Sequence, residues 1–145
     1  MDKPYILLAD ILKRHGYSIT KPRQTVFTLL INQEPQSMYT LTSRAKGKID
    51  RASVYRTIRI FEEAGIVQRI YIGWKYKVEL TDIFSRHHHH LSCLRCHKLL
   101  ALPEDNTIEK RITVLTNKHH WVVTNHQLEV QGYCEHCQKI ESFNL

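Results

Sequence analysis

Four cysteines form two C-x-x-C pairs, Cys93 with Cys96 and Cys134 with Cys137. Each pair puts two thiolates on one tight turn. Together they supply the four sulfurs of a tetrahedral zinc site, at about 2.3 Å per Zn–S bond. The 37 residues between Cys96 and Cys134 exceed the spacing of a plain ribbon. They suffice for strand and helix segments that bring both knuckles to one end. Four cysteines can instead make two disulfides, in any of three pairings. A chain without the charged start and apolar run of a secretory signal is not expected to use them. Structural zinc is therefore the expectation, in a module whose folding depends on metal.

The second constellation is His87-His88-His89-His90. Four histidines in a row suggest a tag, but this run is internal and leads into Leu91 and the first knuckle. On an extended strand successive side chains face opposite sides. His87 and His89 then share one face and His88 and His90 the other, each pair being half of a tetrahedral site. Two metal sites follow, one per face. Glu109, on a helix, and His126, further along, are the expected partners of His87 and His89. Glu79 is the candidate for His88 and His90, on the side of the hinge. His15, His97, His119, His120 and His136 are expected to be surface or core residues.

The elements that must position these groups fall into two halves of different charge. Lys and Arg number 15 against 8 Asp and Glu in residues 1–86, and 6 against 6 in residues 87–145. Nine of the ten histidines follow residue 86. A basic half fits either a solvated surface or a polyanion held through phosphate contacts. Composition, with 42% apolar and 24% charged residues, is that of a folded protein. The apolar runs are too short to span a bilayer, which together with the lack of a signal leads to an expectation of a cytoplasmic protein.

In the basic half, Leu8, Ile11 and Leu12 have helical spacing up to Gly16. Thr20 is an N-cap for a helix with Pro22 in its first turn and Val26, Leu29 and Leu30 buried. Residues 32–37 read as a loop, and a short helix is expected from about Thr40 to Gly47. Asp50 caps a helix on which Val54, Ile58 and Phe61 form the apolar face. Arg56 points away from that face, near Ala52, Ser53 and Arg59, as on a helix that reads a DNA groove. Residues 66–72 and 75–80 are β-rich around Gly73-Trp74, a hairpin signal. Helices followed by a hairpin is the order of a winged helix. Whether Ile72, Trp74 and Tyr76 pack or project is left open. The second half reads as strands at 87–93 and 98–102 and a helix at 104–118 with Ile108, Ile112 and Leu115 on one stripe. A long strand at 121–133 follows, whose pairing across two copies would make a dimer.

The expected architecture is α+β. A winged-helix DNA-binding domain spans 1–81, a hinge 82–86, and an α/β dimerisation domain with structural zinc 87–145.

With these pieces in place the chain resembles the Fur family of bacterial metalloregulators over nearly its whole length. The resemblance is carried by Lys21-Pro22-Arg23, Ala52-Ser53-Val54-Tyr55-Arg56-Thr57, Ala64-Gly65-Ile66-Val67, the block from His87 to Cys96, Thr124-Asn125-His126, and Cys134 with Cys137. It implies a homodimeric winged-helix repressor that binds a palindromic operator on double-stranded DNA when its regulatory metal is loaded. It puts Tyr55 and Arg56 on the DNA-reading helix, with basic residues such as Lys21 and Arg23 at the backbone. It also matches Glu109 and His126 to the first and third histidines of the run. Iron and peroxide sensors of that family carry an aspartate where this chain has His89, so the all-histidine run is more similar to zinc-uptake regulators. Nitrogen-rich sites suit zinc, while oxygen ligands suit iron or manganese. The hinge departs from the zinc pattern: Gln68 stands where an aspartate is common, no cysteine is near, and two residues are added before the histidines. The iron regulators' helical-domain histidine is replaced in the Met38-Tyr39 neighbourhood.

The function expected is therefore metal-dependent transcriptional repression, zinc-responsive, with iron or peroxide response as the alternative within the family. From other classes stand a zinc-storage or trafficking protein and a zinc hydrolase. The latter would need an open coordination position and a base, and the H-E-x-x-H pattern is absent; no catalytic residue is assigned.

Overall fold

Each helix of the N-terminal unit begins where a capping oxygen or a proline meets an apolar stripe. The computed structural model describes residues 2–140, and the chain divides at Arg86–His87 into two units. Helix α1 (Lys3–Arg14) has Pro4 in its first turn and buries Leu8, Ile11 and Leu12. In α2 (Lys21–Leu30) the Arg23 amide donates to Thr20 Oγ1, and Val26, Phe27, Leu29 and Leu30 are buried. Helix α3 (Met38–Ala45) starts two residues before Thr40, because Ser37 accepts the Thr40 amide at 3.1 Å. That earlier start turns Met38 into the core. Helix α4 (Arg51–Glu63) is capped by Asp50, which accepts the Ser53 amide at 2.9 Å. It buries Val54, Thr57, Ile58 and Phe61.

These stripes meet in one core. Phe27, fully buried, receives Tyr5 and Phe84 edge-on, at ring separations of 5.2 and 5.0 Å. Strands β1 (Val67–Ile72) and β2 (Lys75–Leu80) pair antiparallel from Val67↔Leu80 to Ile72↔Lys75. Gly73, at φ +60°, makes the turn that a side chain would strain. Ile72 is buried and Tyr76 half-buried, whereas Trp74 projects, 86% exposed. Gln36 adds an edge to the hairpin, exchanging amide–carbonyl bonds of 2.9 and 2.8 Å with Val78. Its side chain donates to the Leu29 carbonyl at 2.7 Å and accepts from Arg44. Within residues 82–86, read as hinge, Phe84 is tied down against Phe27.

The C-terminal unit contains β3 (His88–Cys93), β4 (Leu99–Pro103), α5 (Asn106–Lys118), β5 (Glu129–Gly132) and α6 (Glu135–Ile140). Strand β3 is central, antiparallel to β4 and parallel to β5. Helix α5 begins at Asn106 because Asp105 accepts the amides of Thr107 and Ile108, at 2.7 and 3.2 Å. Residues 141–145, included in the expected second domain, lie outside the described residues.

The expected long strand at 121–133 is not formed. Only Glu129–Gly132 is strand, and 121–128 has no regular structure. The reason is the ladder: the pairing of β5 with β3 begins at Glu129 opposite His90. The Leu128 carbonyl still accepts the His90 amide at 3.2 Å, but upstream of it no strand pairing forms among the described residues, and an extended segment without a ladder partner is not a strand. Trp121, Val122 and Val123 are correspondingly exposed. The stripe on α5 is likewise uncovered, since no residue of that helix is buried.

Candidate metal centres and nucleic-acid interface

The two cysteine knuckles meet. Cys93 ends β3, and its amide donates to the Lys98 carbonyl at 2.9 Å, folding the turn that carries Cys96. The Leu94 amide bonds the Gly132 carbonyl at 2.8 Å, holding this turn against the end of β5 and hence against Cys134. All four sulfurs lie within 4.8 Å of one another, with Cys96 and Cys134 3.7 Å apart. Four sulfurs about 2.3 Å from a shared zinc ion have edges of about 3.8 Å. The thiols are free, as zinc ligation requires and disulfides would not allow. Burial raises the Cys93 thiol, but the amides of Cys134, Cys96 and Arg95 outweigh it and bring the group down to about 6. Burial and the three other sulfurs push Cys137 up to about 12. Four thiolates repel one another without a cation among them, and a divalent metal removes that cost.

On one face of the histidine run, His87, His89, Glu109 and His126 converge. All three imidazoles present Nε2. His89 Nε2 lies 2.9 Å from Glu109 Oε1, His87 Nε2 3.4 Å from the same oxygen, and His126 Nε2 3.2 Å from Oε2. Ligands about 2.0–2.1 Å from a tetrahedral zinc ion are separated by about 3.4 Å, so the four groups fit one cation. His89 is 1% exposed. Glu109 sits in the first turn of α5, where the helix terminus favours its charge. Burial raises its carboxyl, but the His89 hydrogen bond and the charges of His126 and His87 outweigh this and hold it below its ordinary value. His126 arrives from the irregular segment rather than from a strand.

On the opposite face His88 and His90 stack edge-on at 4.7 Å. In the N-terminal unit, Glu79 is buried on β2 and accepts a hydrogen bond of 2.8 Å from Gln68. Each half of the expected hinge site is thus formed within its own unit.

The outer face of α4 presents Tyr55, Arg56 and Arg59 to solvent. Ser53 first serves the cap, donating its hydroxyl to Asp50 Oδ2 at 2.6 Å, and Arg56 reaches its Oγ at 3.5 Å. That hydroxyl and the Ser53 amide hold the Asp50 carboxyl below its ordinary range. Arg59 pairs with Glu63 at 3.0 Å, and Arg51 lies over the Tyr55 ring. Lys21 is exposed at the start of α2, whereas Arg23 turns back to the Ser18 carbonyl and over the Tyr17 ring. Two further residues, Arg69 and Tyr76 of the hairpin, line one groove with Arg51, Ala52, Tyr55, Arg56 and Arg59. Arg69 forks onto Glu62 of α4 and stacks on Tyr76. The only sequence signal for this was an arginine on a strand otherwise rich in apolar residues.

Fold and clusters together define a winged-helix protein with a metal-ligating second unit. No helix of the described residues is long and apolar enough to cross a membrane. The model of the ferric uptake regulator family matches residues 14–131. A ferric uptake regulation protein of Escherichia coli is 36% identical over 131 residues, covering 85% of each chain. The solved Vibrio cholerae ferric uptake regulator is 31% identical, with a TM-score of 0.68 over 86% of this chain and 98% of that one. The Helicobacter pylori regulator, a structure with three functional metal-binding sites, has a TM-score of 0.74 over 92% and 91%; at 23% identity it speaks for the fold alone. This chain belongs to the ferric uptake regulator family, whose members are metal-responsive transcriptional regulators.

Proposed function

We propose that the protein is a zinc-responsive transcriptional repressor that acts as a homodimer on a palindromic operator. The observation that carries this reading is the convergence of three Nε2 atoms and one carboxylate, those of His87, His89, His126 and Glu109, around a single point. Three nitrogens and one oxygen are a ligand set suited to zinc, whereas iron and manganese favour oxygen-richer sets. The bound cation supplies positive charge that draws these lone pairs together. The four cysteines hold a separate, structural zinc, which keeps β3 and β5 in register beneath the histidines.

Regulation follows from the placement of the histidines next to the hinge. Glu79 on the wing, with His88 and His90 beyond the hinge, would close onto a second metal and fix the spacing of two winged helices. That spacing is one helical turn of DNA between successive major-groove half-sites. The helix α4 reads bases through Arg56, Tyr55, Ser53 and Arg59, while Lys21 and Arg23 meet phosphates. Metal shifts the population only to the extent that it binds the DNA-competent arrangement better. A change of about 10–100-fold in DNA affinity corresponds to a coupling of only about 1.4–2.7 kcal/mol. The segment 121–128 and the uncovered stripe of α5 are the surfaces assigned to the second copy.

Iron response is the second reading, favoured by the function named for the Escherichia coli relative. Titration of the metal-free second site with zinc, ferrous iron and manganese, followed by DNA-binding measurements on each form, separates the two. Zinc is expected to act at the lowest free concentration. Repression-competent binding with ferrous iron alone would overturn the zinc assignment and leave the regulator reading in place.

A further inference from the structure

Residues 82–86 read as hinge, with two residues added before the histidines, yet the N-terminal unit holds the first part of this segment. Thr81 prolongs the end of the β1–β2 ladder: its amide donates to the Ile66 carbonyl at 3.0 Å and its hydroxyl to the Gly65 carbonyl at 2.9 Å. The chain then reverses. The Phe84 amide donates to the Thr81 carbonyl at 2.9 Å, closing a turn that brings the two residues within about 7 Å, where three extended steps would span about 10 Å. The Phe84 ring stands edge-on to Phe27, at a separation of 5.0 Å and an angle of 68°. Tyr5 of α1 meets Phe27 in the same way at 5.2 Å. Phe27 is fully buried, so this pair ties residue 84 to the core of the winged helix. Edge-on geometry adds to what the ring gains by leaving water. Ile83, by contrast, is 53% exposed.

Docking of one ring changes the length of the tether between the units. His87, the first ligand of the run, lies three steps beyond Phe84 and six beyond Thr81. The effective concentration across a tether falls as about the −3/2 power of its length. Releasing Phe84 doubles the tether and weakens closure across it about threefold. We propose that Phe84 is a positioning residue, the anchor that takes up the added residues and sets the working length of the hinge, so that metal closes it at a lower concentration. The inference rests on the metal-driven closure of Glu79 onto His88 and His90 put forward above, and assigns its efficiency to a residue that touches neither metal nor DNA.

The test uses the full chain with the cysteine zinc retained, buffered free zinc, and a duplex that the chain selects from a random-sequence pool. The quantity read is the free zinc concentration giving half-maximal DNA binding. Phe84→Ala should raise it about threefold. DNA affinity at saturating zinc and amide-exchange protection of α1–α4 should stay as in the unsubstituted chain, whereas damage to the fold would lower both. Phe84→Tyr, which keeps the ring, should leave the midpoint unchanged. Two glycines inserted after Arg86 lengthen the tether by two steps and should raise the midpoint about twofold. The same pair inserted between Thr81 and Asp82 lies behind the anchor and should raise it little. Equal shifts for the two insertions, or no shift in a folded Phe84→Ala chain, overturn the anchor and leave the regulator reading standing. If zinc leaves DNA binding of the unsubstituted chain unchanged, the zinc-driven closure falls and the anchor with it.

Discussion

Nε2 of His87 lies 3.1 Å from Nε2 of His126, across 39 residues of sequence, and both face Glu109. Two imidazole nitrogens at this distance either share one proton or turn both lone pairs to a cation. Glu109 is the only anionic member of the cluster. Glu109→Gln keeps its size and removes its charge. Competition against a chromophoric chelator should show metal affinity at this site reduced at least about tenfold, while zinc at the cysteines is unchanged. Unaltered affinity would remove Glu109 from the ligand set.

Removing zinc from the cysteines should unfold the C-terminal unit before the N-terminal one. Little apolar surface is buried in it: α5 buries no residue, and among the described residues of this unit Cys93 and Cys137 are the only buried side chains that are not polar. Structural zinc contributes about 10–16 kcal/mol in finger peptides, more than such a sheet supplies by packing. Cys96→Ser, or a strong chelator, should abolish amide-exchange protection in β3 and β5 while helices α1–α4 stay protected. Retained protection in β3 would contradict the structural role.

Protons compete with that zinc in a stated direction. Cys93 is held down at about 6 and Cys137 pushed up to about 12. Between these values Cys93 is already a thiolate, whereas Cys137 must lose its proton on loading. Zinc affinity should therefore rise with pH through this window, by at least about tenfold per unit for one released proton, and fall further once pH drops through the Cys93 value. Affinity independent of pH from 6.5 to 8.5 would disagree with this account.

The interface assignments separate by their salt dependence. Arg56→Ala should cost about 1–3 kcal/mol in operator binding and relax the sequence preference at one position. Lys21→Ala should weaken binding to all duplexes alike and lower the salt slope by about one. If Arg56→Ala behaved like Lys21→Ala, α4 would not be reading bases.

What the sequence made legible was what local chemistry dictates. Thr20 and Asp50 cap their helices because an oxygen there meets free amides, and Val54, Ile58 and Phe61 are buried by periodicity alone. The alternation of the histidine run follows from strand geometry. Less legible were outcomes set by partners. Ser37 rather than a residue near Thr40 caps α3, and the earlier start carries Met38 into the core. The strand expected from Trp121 finds no ladder partner among the described residues before Glu129, and no periodicity reveals that. The Glu62–Arg69–Tyr76 brace joins a helix to a hairpin, and nothing local announces it.

The central claim is that metal held by the histidine run sets the DNA-competent state. The most direct measurement is the DNA affinity of one preparation at fixed salt, with the cysteine zinc retained and the histidine sites empty or zinc-filled. The account predicts binding about 10–100-fold tighter when they are filled, with the difference lost in His89→Ala. Equal affinity of the two forms would contradict it.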